Sequence, residues 1–166
     1  MTKVDPIAFK AAAGSFGTGV TIVTSNRNDQ VYGMTVSAFA SLSIEPMQII
    51  VSLRRGSLLP DMISDSNNFA VSILKEDQKE VAGYFASSGR EPCDGEFPGL
   101  RCSTAISGAP IIEGSLAHFD CTLATTYDGG DHVIIVGNVV EAAAEDGAPL
   151  LYFKGTYRGI GDLASL

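Results

Sequence analysis

Twice along this chain a strand-forming run reaches a short turn and is followed at once by a second such run. This pattern narrows the accessible folds more than any other feature. Gly19-Val20-Thr21-Ile22-Val23-Thr24 is rich in β-branched residues that suit a pleated strand. Residues 26–29 have turn composition, and residues 31–35 return as the hairpin partner. Downstream, residues 115–127 alternate, placing Ala117, Phe119, Cys121 and Leu123 on one face. Gly129-Gly130 then turns the chain, and residues 133–140 complete a second hairpin.

Further strands are expected at 47–53, buried on both faces by its composition, and at 69–74, with Phe69, Val71 and Ile73 on one side. A last short strand is expected at 151–153, after a turn at Gly147-Ala148-Pro149. Asp5-Pro6 offers an N-cap side chain followed by proline at the first helical position, so a helix runs to about residue 13 and stops at Gly14. Asp77 and Glu80 have the spacing of a capping box, which predicts a helix through Val81 and Phe85. Residues 91–100 hold two prolines and two glycines and read as a loop. Hairpins with a few short helices point to a mainly β, antiparallel barrel. Neither the βαβ rhythm of a doubly wound sheet nor a Gly-x-Gly-x-x-Gly turn is present in the sequence, so a nucleotide is not expected in a crevice of that kind.

The 166 residues suit one domain over 1–166, and 45 % apolar with 18 % charged residues is ordinary globular composition. Net charge is −8 and the 11 basic residues are dispersed, which argues against nucleic acid as a partner. Arg54-Arg55 is the one adjacent basic pair; it fits either a local anionic client or a solvated turn. Apolar runs are strand-sized, too short to cross a membrane as a helix, and the N-terminus lacks the layout of a signal peptide, so the cytoplasm is expected. Cys93, Cys102 and Cys121 are an odd set without Cys-x-x-Cys spacing, which favours free thiols in a reducing compartment. His118 and His132 form no zinc pattern with them, and no metal is expected.

Ser37, Ser41 and Ser52 are nucleophiles by type, but no Gly-x-Ser-x-Gly elbow or assignable carboxylate pair accompanies them. A cofactor enzyme accommodates that absence, because the cofactor brings the reactive atoms and the protein brings position. The segment from Gly33-Met34-Thr35-Val36-Ser37-Ala38 to Ser41 is dense in small hydroxyl and alanine side chains that let a flat ligand approach main-chain amides. Arg54, Arg55 and Ser57, beside a possible helix start, then offer what a phosphate needs. On residue types alone the same segments also read as a Ser/Thr-rich turn followed by a solvated basic turn. Gly130-Asp131-His132 places an imidazole at a strand mouth, where it reaches either a nicotinamide or merely a surface notch.

In order and spacing, these segments resemble the flavin reductase family of two-component flavin-dependent monooxygenase systems. The resemblance runs from Phe16-Gly17-Thr18-Gly19 through Gly33-Met34-Thr35-Val36-Ser37-Ala38-Phe39 and Val51-Ser52-Leu53. It continues through Phe85-Ala86, Gly108 with Pro110, Cys121, Gly130-Asp131-His132, Gly137 and Val139, and ends at Tyr152, Gly155 and Tyr157. It implies a split β-barrel with short flanking α-helices that binds FMN or FAD, usually as a homodimer. NADH or NADPH is the implied electron donor, and a partner monooxygenase receives the reduced flavin. By that likeness Thr35, Val36, Ser37, Ala38 and Ser41 line the flavin ring. Ser52, Leu53, Arg54 and Ser57 hold the ribityl chain and phosphate, His132 meets the nicotinamide, and Tyr157 closes the site. Met47-Gln48 after Pro46 departs from the usual pattern, and the Arg54-Arg55 region varies among relatives. Split barrels of this kind also serve as flavin- or haem-binding modules without turnover, or as oxidases of phosphorylated pyridoxine compounds. The Gly-Asp-His segment favours the reductase.

Overall fold

The computed structural model describes residues 4–162. Asp5 accepts a hydrogen bond from the Ile7 amide at 3.1 Å and Pro6 follows it, so helix α1 spans Pro6–Gly14, starting where the proline predicts and running one residue further than expected at its end. Strand β1 (Thr18–Gly19) leads into the first hairpin, β2 (Thr21–Arg27) and β3 (Gln30–Val36). Arg27 pairs with Gln30 across a two-residue turn in which Asn28 and Asp29 both have positive φ, 54° and 62°. Asn and Asp tolerate that region best among side-chain-bearing residues, and such a turn matches strand twist, which is why this hairpin was readable.

A second hairpin of β4 (Phe39–Ile44) and β5 (Met47–Arg54) follows, then helix α2 (Leu58–Ser66) and β6 (Asn68–Ile73). The helix expected after residue 77 begins differently. Gln78, not Glu80, folds its side chain back, accepting from the Lys75 amide at 3.0 Å, and a 3-10 turn over Glu76–Gln78 precedes helix α3 (Lys79–Ala86). Short strands β7 (Cys93–Asp94), β8 (Cys102–Thr104) and β9 (Pro110–Ile112) occupy the following segment. The long hairpin β10 (Ala117–Gly129) and β11 (His132–Ala144) comes next, then β12 (Leu151–Phe153) and β13 (Thr156–Arg158).

The main sheet has the order β4-β5-β11-β10-β6-β2-β3-β7, and its pairings are antiparallel. Past β3 the chain crosses directly into β4 through Ser37-Ala38, so the two ends of the curl approach without a strand ladder between them. The Ser52 amide, donating to the Ala38 carbonyl at 3.0 Å, extends the β4–β5 pairing up to that crossing. This is a split barrel with short helices, as expected. A separate three-stranded sheet, β1-β12-β13, lies beside it.

The barrel interior holds Val23, Val36, Ile49, Val51, Leu53, Phe69, Val71, Cys121 and Ile135, with Leu59 and Ile63 of α2 packed into the same cluster. A second cluster, including Val20, Ile22, Val31, Ala82, Phe85 and Phe97, forms where α3 and the 93–112 segment cover the outer face of β2 and β3. These two layers bear on two expectations. Strand β6 does place Phe69 and Val71 on one side, in the barrel core, and Ala70 and Ser72 on the other are buried too, because the sheet is covered on both sides there. Strand β5, expected to be buried on both faces, buries Ile49, Val51 and Leu53 and leaves Gln48, Ile50 and Ser52 half-exposed, because no helix covers its outer face. On β10 the alternation of Phe119, Cys121 and Leu123 into the interior holds. The first irregularity of that ladder leaves Val140 of β11 unpaired, so the two-residue period of β10 is not interrupted there.

Gly137 packs tightly against the Phe69 ring. A Cβ there would overlap the Phe69 ring and stand 3.1 Å from Cys121 Cβ. Gly137→Val is therefore expected to lower the unfolding free energy by about 1–3 kcal/mol, read as an earlier urea midpoint with an unchanged slope. Burial pushes the Cys121 thiol up to about 12, with Asp120 adding to the shift, and pushes Cys102 up to about 11, with Glu113 and Glu96 adding. Both stay protonated at neutral pH, and the thiolate is the nucleophile. At pH 8 iodoacetamide is expected to label these two cysteines slowly in native protein and rapidly once urea unfolds it, as peptide mass spectrometry would report.

Candidate functional site

A cleft of about 630 Å³ opens where four elements converge. Strand β3 and its continuation contribute Tyr32, Met34, Thr35 and Ser37; the link from β5 to α2 contributes Arg54, Arg55, Gly56 and Ser57. The end of α3 and the loop beyond it bring Phe85, Ala86, Ser87, Ser88 and Arg90, while β12 and β13 bring Tyr152 and Tyr157.

The expected residues divide into three groups. Thr35, Ser37, Arg54, Ser57 and Tyr157 meet in this cleft. Val36 and Leu53 turn their side chains into the barrel core, so anything they offer a ligand comes from the main chain, and the Val36 carbonyl already accepts from the Thr21 hydroxyl at 2.7 Å. Ala38 and Ser41 are exposed along the seam and on β4, Ser52 is half-buried on β5, and none of the three lines the cleft. His132 stands just outside, paired in register with Arg54 across β11 and β5.

Arg54 and Arg55 part at the end of β5. Arg55 donates from Nη2 to Asp128 at 2.7 Å and from Nε to the Gly130 carbonyl at 3.0 Å, and its amide donates to the Asp131 carbonyl at 2.8 Å. It thereby fixes the turn of the long hairpin. The Arg54 side chain makes no hydrogen bond to any described residue. The Ser57 hydroxyl donates to the Arg54 carbonyl at 2.6 Å rather than capping α2, so the first amides of that helix lack a side-chain cap. A free guanidinium beside an uncapped helix N-terminus suits a phosphate.

On the turn that Arg55 fixes, His132 Nδ1 lies 2.8 Å from an Asp131 carboxylate oxygen. That hydrogen bond, with the imidazole charge second, holds the Asp131 carboxyl below its ordinary range. An ionised carboxylate only accepts, so Nδ1 carries the hydrogen and Nε2 is left for another partner. His118, by contrast, bonds Glu141 at 2.7 Å across the same ladder, far from the cleft lining.

Arg90, Tyr32 and Tyr152 lie in the cleft without having been singled out as site residues. Arg90 Nη2 donates to the Gly33 carbonyl at 2.6 Å and the Phe85 carbonyl at 3.0 Å, and its guanidinium carbon lies 5.1 Å from the ring centres of both Tyr32 and Phe85. It sits in a loop with no periodicity, so nothing local marks it. Burial beside Tyr152 raises the Tyr157 phenol above its ordinary value.

The sequence model of the flavin reductase like domain matches residues 13–161. The reductase subunit HsaB of a flavin-dependent monooxygenase from Mycobacterium tuberculosis is 38% identical over 161 residues, covering 95% of this chain and 84% of that protein. An NADH-dependent flavin reductase from Rhodococcus sp is 35% identical over 161 residues, covering 95% and 88%. Among solved structures, the Streptomyces globisporus NADH:FAD oxidoreductase SgcE6, in complex with NAD and FAD fragments, superposes with a TM-score of 0.85 at 31% identity, covering 95% of this chain and 96% of that one. With a split barrel, a cleft suited to a phosphorylated ligand and these relatives together, the chain belongs to the flavin reductase-like family.

Proposed function

We propose that this protein is an NAD(P)H:flavin oxidoreductase that reduces FMN or FAD and supplies the reduced flavin to a partner monooxygenase. The observation that carries the reading is the Arg54 guanidinium, which makes no hydrogen bond to a described residue, beside the uncapped start of α2, in a cleft whose other wall carries Thr35 and Ser37. That donor set fits a flavin nucleotide: charge and free amides for its phosphate, small hydroxyl side chains beside its ring. The relatives named as NADH-dependent reductases and as a monooxygenase reductase subunit support the donor and the partner.

The nucleotides supply the redox chemistry, a hydride passing from reduced nicotinamide to flavin. The protein's own residues bind and orient. Thr35 and Ser37 face the flavin ring, Arg54 and the amides after Ser57 hold its phosphate, and Tyr157 closes the cleft; Ala38, Ser41 and Ser52, outside the cleft lining, are not assigned a contact. Asp131 holds the His132 ring so that Nε2 meets the nicotinamide side of the donor. Orienting two rings in contact is a sufficient source of rate, because it converts an encounter into a positioned transfer.

A twofold homodimer completes the proposed assembly. Leu42, Ile44 and Met47 are exposed around the β4–β5 hairpin, where β4 is the edge of the sheet, and a second copy would cover them. Three unpaired cysteines support a reducing compartment, and the cytoplasm is the one proposed.

Mixing the protein with NADH or NADPH and either flavin is expected to give flavin-dependent loss of the nicotinamide absorbance band; no acceleration with any combination refutes the reading. Arg54→Ala is expected to weaken flavin binding about ten- to a hundredfold, the worth of a charge-assisted hydrogen bond, with nicotinamide affinity little changed. Arg55→Ala acts through the hairpin turn instead and is expected to have the smaller effect on flavin titrations. His132→Ala is expected to raise the KM for the nicotinamide or slow its oxidation while flavin binding is retained; unaltered nicotinamide kinetics would remove His132 from the site. Light scattering at micromolar concentration checks the dimer.

A further inference from the structure

Strand β12 lies between β1 and β13, with Tyr152 paired to Thr18 on one side and to Tyr157 on the other. Phe153 and Thr156 close the β12–β13 hairpin over a two-residue turn in which Lys154 and Gly155 have φ of 49° and 79°. That tight turn and the second ladder to β1 leave the Tyr152 backbone little freedom. The Tyr152 and Tyr157 rings lie 5.4 Å apart, tilted by 57°, and both line the cleft from a sheet separate from the one carrying Thr35, Ser37 and Arg54. Tyr152 remains 38% exposed although it sits on a central strand, and neither phenol hydroxyl bonds to a described residue. A rigid, half-exposed aromatic pair with free hydroxyls, opening on a nucleotide cleft, is a platform for a planar ring.

The reductase reading, on which this inference rests, already places the flavin ring and its phosphate on the β3 and β5–α2 walls and the nicotinamide at His132. The one planar ring of a dinucleotide left without a wall is its adenine. We propose that Tyr152, backed by Tyr157, is the adenine-stacking residue of this cleft and favours dinucleotides over the corresponding mononucleotides. FAD and NAD(P)H both carry that adenine, and the proposal concerns the base common to both.

The test is a set of titrations on wild type, Tyr152→Ala, Tyr152→Trp and Tyr152→Leu, using ADP-ribose, FMN, FAD, NADH and reduced nicotinamide mononucleotide. Tyr152→Leu keeps an apolar side chain against Tyr157 while removing the π face, so it serves if the alanine variant folds poorly. Loss of the ring is expected to weaken ADP-ribose roughly five- to a hundredfold, the range of base–aromatic stacking, with tryptophan restoring it. If the adenine is that of FAD, FAD weakens and FMN does not. If it is that of the donor, NADH weakens and the mononucleotide does not. Unchanged ADP-ribose binding, failure of tryptophan to restore it, or equal weakening of each dinucleotide and its mononucleotide overturns the proposal. Wild type that reduces FMN with NADH but binds ADP-ribose independently of Tyr152 refutes the adenine site and leaves the reductase standing. Tyr152-dependent ADP-ribose binding in a protein that reduces no flavin does the reverse.

Discussion

One wall of the cleft is set where helix α3 packs against strand β3, an approach that Gly33 makes possible by leaving room for the Phe85 ring. A Cβ at residue 33 would stand 3.0 Å from both a Phe85 ring carbon and a Thr24 methyl, tighter than side-chain packing normally allows. With hydrogen there instead, Phe85 settles against the strand and meets Phe97 edge-on at 4.9 Å. Two polar ties then hold the helix in place. Thr35 donates to the Ala82 carbonyl at 2.7 Å, and Arg90 bridges the Gly33 and Phe85 carbonyls. Their three acceptors are backbone carbonyls: Gly33 on strand β3, and Ala82 and Phe85 on α3, Phe85 in the last turn where carbonyls otherwise lack partners. The wall carrying Thr35 and Ser37 is therefore fixed by the same contacts that seal the outer core layer.

Charge is distributed so that the site is cationic within an acidic chain. Arg27, Arg55 and Arg101 each pair with a carboxylate, on Asp65, Asp128 and Glu113. Arg54 and Arg90, both in the cleft lining, pair with none among the described residues. Exposed ion pairs contribute little to stability, so the significance of Arg55–Asp128 is geometric: it holds the turn that presents His132. The adjacent Arg54-Arg55 pair, for which the sequence allowed either an anionic client or a solvated turn, is thus split in role. One arginine builds the site and its neighbour remains available to a ligand.

How much of this was legible depended on whether the determining contact is local. The 27–30 turn, the Asp5 cap and the alternation on β10 are set by neighbouring residues, and each was readable. Helix α2 was not, beyond a possible start at Ser57, because nine residues give little periodicity and Pro60 reads as a breaker. In the fold Pro60 sits in the first turn, where a missing amide costs no helical bond. Strand β4 was not read as a strand, because Phe39-Ala40-Ser41-Leu42-Ser43-Ile44 lies largely exposed at a sheet edge, and its Ser content allowed a turn as well as a ligand wall. For the candidate site, the family resemblance supplied five residues that do converge in the cleft. Arg90 was invisible because its partners, Tyr32 and Gly33, lie far away in sequence. Val36 and Leu53 carry the same limitation in reverse: a segment next to a ligand wall alternates, and every second side chain belongs to the core.

Apart from Thr18 Oγ1 and Arg158 Nε, which are buried without a hydrogen-bond partner among the described residues, the buried polar side chains hold the chain together. Thr24 is tied to the Pro110 carbonyl, Ser25 to the Asn68 carbonyl, Ser72 to the Ile112 amide and Asp120 to the Ser107 amide, each joining segments distant in sequence or pinning a loop. What faces the cleft is a different set: hydroxyls, guanidinium groups and phenols, suited to recognising anions and planar rings. At long range a net charge of −8 repels anionic nucleotides, and within a few ångströms the cleft arginines attract them. These terms have different reach. Salt with a Debye length of about 8 Å screens the diffuse repulsion fully, but screens a partly enclosed contact much less. Added salt thus eases approach while only partly weakening the bound contact, so the acidic surface and the cationic site do not conflict at physiological ionic strength. The surface charge keeps a small protein with exposed apolar strands dispersed, while Arg54 and Arg90, which have no ion-pair partner among the described residues, supply the positive charge of the cleft.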